Sequence, residues 1–292
     1  MTILSPLARP RHIRRGRAGL TVLLLPAAAV VAVAFLYPVA RLVWLGFSEP
    51  SFGLQTYAAV LSDPVTLTIL LRTLRMSAIV TAVTLVLGYP YAYVMTLVGP
   101  RARAVLLALV LLPFWTSLMA RTFAWVVLLQ ERGPVSHILQ FLHLGTAQLK
   151  GTAAGVTIGM AQVLLPFMVL PLYSTMKGID RRLIFAAQSM GARPASAFRL
   201  VYLPLSLPGV VAGVTLVLVL ALGFYITPLL LGSPQQAMIS QLIALEVNNL
   251  DFRSAGALSF ILLAVTLAVL GGVARLVRPS AALGVGDRTD TR

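Results

Sequence analysis

Three histidines, eight carboxylates and no cysteine leave few ways to build a reactive centre in this sequence. His12, His137 and His143 form no helical pair with carboxylates that could hold a metal, and no Ser-His-Asp arrangement can be assembled from them. The lack of cysteine removes disulfides, thiolate metal sites and a thiol nucleophile. No glycine-rich loop ending in Gly-Lys-Ser/Thr is present to cradle phosphates, so energy from a nucleotide must come from another polypeptide. The expectation is a chain with no catalytic site, no metal and no cofactor of its own.

The residues that remain are of a different kind. Arg121 interrupts an otherwise apolar run, and a charge within a membrane is costly enough to mark either a pathway or an anchored interface. On a straight helix from Ala104 it stands about 17 residues in, close to the outer boundary, where it can snorkel to headgroups. Trp115, Trp125, Phe224 and Tyr225 could offer aromatic faces to a cation along a translocation path, or could pack helices and form an interfacial belt. Both readings stay open.

These residues must be positioned by membrane-spanning helices. The chain is 59% hydrophobic and 11% charged over 292 residues, far from soluble composition. Lipid forces spanning backbone into helices of about 20 residues. Six spans are expected, near Leu20 to Gly46, Thr73 to Val98, Ala104 to Leu129, Gly151 to Met176, Ser206 to Leu231 and Ala255 to Val277, with no Asp or Glu inside any of them. The first apolar run exceeds the ~7 to 15 residues of a signal-peptide core, so it reads as an uncleaved span. Residues 1–19 form a basic tail and 279–292 a loose polar one. Pro90, Pro113, Pro166, Pro171 and Pro228 are expected to bend helices, and Gly151/Gly155 and Gly209/Gly213 carry the four-residue small spacing of close helix approach. Gln235 to Asn249 has the spacing of a short surface helix, and Arg72 and Arg75 mark the outer end of span two.

The formal charge of +15 records topology before it suggests nucleic acid. Arg9 to Arg17, Arg101, Arg103, Lys177, Arg181, Arg182, Arg193, Arg199, Arg275 and Arg278 alternate with loops holding Glu49, Asp63, Glu131, Glu246 and Asp251. The basic side is cytoplasmic by this rule, with both termini inside.

Between spans four and five lies Lys177 to Pro204, too long and apolar for a simple turn. It carries Phe185-Ala186-Ala187, then Gly191, Val201 and Leu203-Pro204, and reads as two short helices joined at Gly191, with Leu203-Pro204 turning the chain into the membrane. This pattern resembles the cytoplasmic loop of binding-protein-dependent ABC importer permeases, which read Glu-Ala-Ala, three residues, Gly, nine residues, a branched apolar residue, one residue, Leu-Pro. One departure stands out: the family's leading Glu is Phe185. Leu87 to Tyr93, Leu112 to Thr116, Arg121 to Trp125 and Gly223 to Pro228 are similar to polyamine-type permeases.

The resemblance implies an all-α membrane protein of the type I ABC importer permease architecture in a bacterial inner membrane. It implies a docking loop for an ABC ATPase subunit carrying ATP and Mg, a second homologous permease completing a heterodimeric pore, and an extracytoplasmic solute-binding protein. Apart from membrane lipid, no other partner is expected, and nucleic acid is not one. The rival reading, an ion-coupled secondary transporter, needs intramembrane carboxylates, histidines or broken helices, and none of these is expected in the spans.

Overall fold

A backbone in lipid must satisfy its own hydrogen bonds, and the sequence does so with helices throughout. The computed structural model describes residues 25–26, 28–48, 53, 55–141, 143 and 148–281. Helix α1 (Tyr37–Ser48) continues a wide π turn (Ala32–Leu36); α2 (Gln55–Ser62) leads to α3 (Pro64–Leu97). Then come α4 (Pro100–Leu111) with a 3-10 turn (Leu112–Trp115), α5 (Leu118–Leu128), α6 (Pro134–Phe141) and α7 (Ala153–Lys177). Two short helices, α8 (Arg182–Ser189) and α9 (Pro194–Ala197), and a π turn (Phe198–Tyr202) lead into α10 (Leu203–Leu222). The chain closes with α11 (Ile226–Leu231), α12 (Ile239–Asn248) and α13 (Phe252–Ala281). Helices α2 and α6 were not expected from the sequence.

Among the described residues, four helices are long and apolar enough to cross a membrane, and a bent pair makes up to five. Of the expected first span, residues 20–24 and 27 lie outside the described residues, as do residues 1–19 and 282–292 of the tails. The end of α13 reaches Ala281, three residues into the expected loose tail.

Helix α3 starts nine residues before the expected Thr73 because Asp63 caps it: its carboxylate accepts the amides of Val65 (3.2 Å) and Thr66 (3.0 Å), and Pro64 fills the first turn. Its 34 residues run about 51 Å, more than a bilayer core. Arg72 and Arg75 therefore sit on an N-terminal extension of the span, where Arg72 donates to the Pro234 carbonyl at 3.4 Å. The surface helix expected after Gln235 is α12, and its first amide, Ile239, donates to buried Thr73 Oγ1 at 2.9 Å.

The core lies where α3, α7 and α10 meet. Met76, Met95, Met160, Met168 and Met176 are all buried there, flexible thioethers filling irregular gaps. Gly209 and Gly213 bring α10 against α7 as expected: a Cβ would fall 2.8 Å from Thr175 and 2.7 Å from Met168 Sδ. Gly151 and Gly155 do a different job, shaping the turn into α7; Gly151 adopts φ +79°.

Two expected spans are broken. The third bends by 100° between Trp115 and Leu118, since Pro113 cannot donate and Thr116 is extended. The fifth stops at Leu222 and restarts at Ile226, leaving Gly223 to Tyr225 unwound; Ser240 Oγ takes up the Phe224 carbonyl at 2.6 Å. Pro90, Pro166 and Pro171 lie inside continuous helices, whereas Pro228 sits in the first turn of α11, where no amide is needed.

Candidate functional site

The segment from Gly178 to Pro204 folds as a protruding knob. Helix α8 ends in a Schellman stop: the Gly191 amide donates to Gln188 O (2.9 Å), and the Ala192 amide to Ala187 O (3.1 Å). Gly191 holds φ +92° with nothing within 4 Å of a would-be Cβ, so backbone conformation and not crowding demands glycine. Arg193 is extended and Pro194 opens α9 at its first position.

The two alanines of the motif face different ways. Ala187 turns inward beside Ile184 and Gln188, half-buried; Ala186 shares an outer face with Arg182, Phe185 and Ser189. Phe185 is 63% exposed. Val201 is half-buried, while Leu203 and Pro204 are exposed.

One expectation fails here. Leu203-Pro204 makes no turn: the helix runs continuously from Pro194 to Leu222. Pro204 has no amide for the Leu200 carbonyl, and the π turn just before it absorbs the mismatch, with the Leu203 amide reaching back to Phe198 O.

What holds the knob to the bundle was not read from the sequence. Phe198 and Tyr202, four residues apart on the π turn, meet Tyr89 and Tyr93, four apart on α3. Phe198 packs edge-on against Tyr93 (5.4 Å) and Tyr89 (6.3 Å) and stacks on Tyr202 (5.4 Å), which meets Tyr93 at 5.1 Å. Tyr89 OH and Ser206 Oγ lie 2.9 Å apart; Ser206 donates to Leu203 O at 2.8 Å, leaving Tyr89 as the donor. Arg181 donates to the Thr96 carbonyl at 2.7 Å, and Arg103 to those of Met95 and Val98, both at 3.1 Å. Two arginines counted as topology signals thus cap the carbonyl end of α3. The paired i, i+4 aromatics were the legible clue.

The proposed path residues belong to the breaks. Trp115 closes the first and is 84% exposed; Phe224 and Tyr225, half-buried, form the second. Trp125 and Phe224 both pack on the main core, and Trp115 does not. Arg121 lies one turn past the 100° bend, so the depth expected from a straight helix does not apply. Its Nε is buried with no hydrogen-bond partner. The arms beyond the two breaks touch: Thr122 and Thr227 hydroxyls lie 3.4 Å apart. Consecutive amides clasp their ends, Lys150 donating to Leu129 O (3.1 Å) and Gly151 to Leu231 O (2.8 Å). Among the described residues no group of three or more His, Asp or Glu could hold a metal.

Residues 88–280, which include the knob, both breaks and most of the core, match the family described as binding-protein-dependent transport system inner membrane component. The chain is 33% identical over 226 residues to the spermidine/putrescine transport system permease protein PotB of Salmonella typhimurium, covering 77% of this chain and 78% of that one. Its counterpart from Haemophilus influenzae is 37% identical over 200 residues, covering 67% and 70%. A probable molybdenum ABC transporter permease of Haloferax volcanii is 32% identical over 213 residues, covering 73% of each. Among solved structures, a bacterial ABC transporter that imports alginate aligns with a TM-score of 0.68 at 18% identity, covering 92% of this chain and 96% of that one. A bacterial alginate transporter in complex with its pentasaccharide-bound periplasmic protein aligns at 0.71 and 19%, covering 92% and 97%. At that identity the likeness is one of fold.

Proposed function

This chain belongs to the binding-protein-dependent transport system inner membrane components and is the permease of an ABC importer, and from that premise we propose that it carries a polyamine-like cation inward. The solute is handed over by an extracytoplasmic binding protein, crosses between this chain and a second, homologous permease, and is driven by a separate ATPase that holds ATP and Mg. Both termini face the cytoplasm, residues 20–278 form the transmembrane unit, and the chain performs no catalysis itself.

The observation that carries this reading is the knob. It is closed by a Schellman stop at Gly191 and fixed to α3 by four aromatic rings and Arg181, so a push on it reaches the spans without first being absorbed by a loose loop. In the proposed cycle ATP binding draws the knobs of the two permeases together and rocks the spans outward-open; hydrolysis resets them. Within the membrane, broken helices expose unwound backbone where a pathway can form, and Trp115, Trp125, Phe224 and Tyr225 offer aromatic faces to a cation. The described carboxylates, Asp63, Glu131, Asp180, Glu246 and Asp251, all lie outside the spans, so solute choice rests mainly with the binding protein. The two broken spans are a feature the ion-coupled alternative was expected to need, but no described carboxylate lies inside a span and the family is that of importer permeases.

The test is a mild-detergent pull-down from native membranes, mass spectrometry of the co-purifying chains, and uptake of labelled spermidine and putrescine by the reconstituted complex. An ATPase, a second permease and ATP-dependent polyamine uptake are expected. Recovery of this chain alone, or uptake that ignores ATP, contradicts the reading.

A further inference from the structure

The departure at Phe185 has a structural consequence for the partner. Helix α8 turns Arg182, Phe185, Ala186 and Ser189 outward on one stripe, with Ile184, Ala187 and Gln188 facing the bundle. Phe185 (63% exposed) and Met190 (84% exposed) are the most exposed apolar groups of α8 and its stop, with Leu183 exposed to a lesser degree. Small Ala186 beside Phe185 leaves the ring standing proud. The charge of the segment is one-sided: Arg182, Arg193 and Arg199 are exposed, and its single carboxylate, Asp180, is turned back to accept Arg182's own amide at 2.9 Å.

A phenyl ring left in water one helical turn from Arg182, on a segment where Arg193 and Arg199 are also exposed, is a surface in want of a partner with the reverse pattern. We infer that the ATPase groove receiving this knob holds an apolar pocket for Phe185 and is lined at its rim by carboxylates facing Arg182 and Arg193. This rests on reading the knob as the docking element. A groove built for a glutamate at this position presents a cation there; such a groove would meet a ring and a cluster of like charges, and would bind this chain poorly. The phenyl ring thus selects one ATPase among those a cell makes, with the arginines steering the encounter.

The experiment compares ATPase recovered with affinity-purified permease from native membranes, for the natural chain and variants of equal membrane yield and helical content. Phe185 is exposed, so its replacement leaves the fold intact. Phe185→Leu is expected to keep recovery within about twofold, whereas Phe185→Glu lowers it about tenfold or more, the ring's burial being lost and a carboxylate placed against an apolar pocket. The double variant Arg182→Glu/Arg193→Glu is expected to lose about tenfold, and raising KCl from about 0.1 to 0.5 M weakens the natural complex. Full recovery with Phe185→Glu overturns the apolar pocket, and indifference to salt and to the double variant overturns the acidic rim. Gly191→Pro, which breaks the stop of α8, separates the two levels of the argument: if it too retains the ATPase, the knob is not the docking element at all. Binding of the purified chain to anionic vesicles that depends on Phe185, with ATPase recovery unchanged, would make the knob a membrane anchor and refute the inference.

Discussion

The two ends of the helical bundle are held in opposite ways. On the knob side, α3 meets the π turn through interlocking rings and a guanidinium on its terminal carbonyl, and the helices are continuous from Pro64 to Leu97 and from Pro194 to Leu222. On the other side two spans are interrupted, and their outer arms, α5 and α11, join through a 3.4 Å hydroxyl contact and a pair of backbone amides. A transporter driven from one face needs both. In the proposed cycle the end that receives force must move as a unit, and the part that opens must contain joints. Methionines fill the space between, and their side chains can repack as helices shift.

If this contrast is right, truncating a ring at the stiff end costs more than truncating one at the breaks. Phe198→Ala removes contacts to three rings and is expected to destabilise by about 2–3 kcal/mol, read as a lowered Tm of the detergent-purified protein. Phe114, 49% exposed beside the first break and meeting only Phe167 at 5.2 Å, should cost less than half of that on the same replacement. Equal losses would remove the asymmetry.

Gly191→Ala tests the stop of α8 with little change in bulk. The positive φ strains any side chain by about 1 kcal/mol, so the variant should insert normally, melt slightly earlier and show weakened coupling of hydrolysis to uptake. Arg181→Gln comes next. The bond to Thr96 is charge-assisted but exposed, and its loss is expected to cost about 0.5–1 kcal/mol and to lower uptake more than ATPase activity.

The smallest effect concerns the outer helix starts. Asp63 is held below its ordinary pKa by the Thr66 hydroxyl and the amides of Thr66 and Val65, and Asp251 by the Ser254 hydroxyl and amide. A lowered folded-state pKa favours the fold above the ordinary carboxylate value of about 4, and that contribution is lost as pH falls through the lowered one. Thermal melts below about pH 4 should therefore soften, and less so in Asp63→Asn/Asp251→Asn. An identical acid response in that variant would show that other groups govern it.

Much of the plan was readable because it rests on local rules. Asp63-Pro64, Gly191 and Pro194 announce helix starts and stops by the amides they supply or lack. The apolar lengths of α7 and α13 announce membrane, and the two short helices meeting at Gly191 follow from its glycine and from Pro194. The breaks were hard to see because they are short: Thr116-Ser117 and Gly223 to Tyr225 interrupt long apolar runs too briefly to divide a span, and only Pro113, Thr116-Ser117 and Gly223 hint that the backbone leaves the helix. Leu203-Pro204 misled in the opposite sense. Proline suggests a turn, yet one wide π turn kept the helix running. The N-terminal extension of α3 was missed because Arg72 and Arg75 cut the apolar run, although cations on a helix that outreaches the bilayer cost little. The aromatic joint depends on two segments more than 100 residues apart: each shows its own i, i+4 aromatic pair, but no local pattern matches one pair to the other.

The central claim is that the aromatic joint passes the knob's movement to α3. Its most direct test is the number of solute molecules moved per ATP hydrolysed by the reconstituted complex carrying Phe198→Ala. The account predicts that ATP hydrolysis persists while this ratio falls at least about tenfold; an unchanged ratio, or a parallel loss of hydrolysis and uptake, would contradict it.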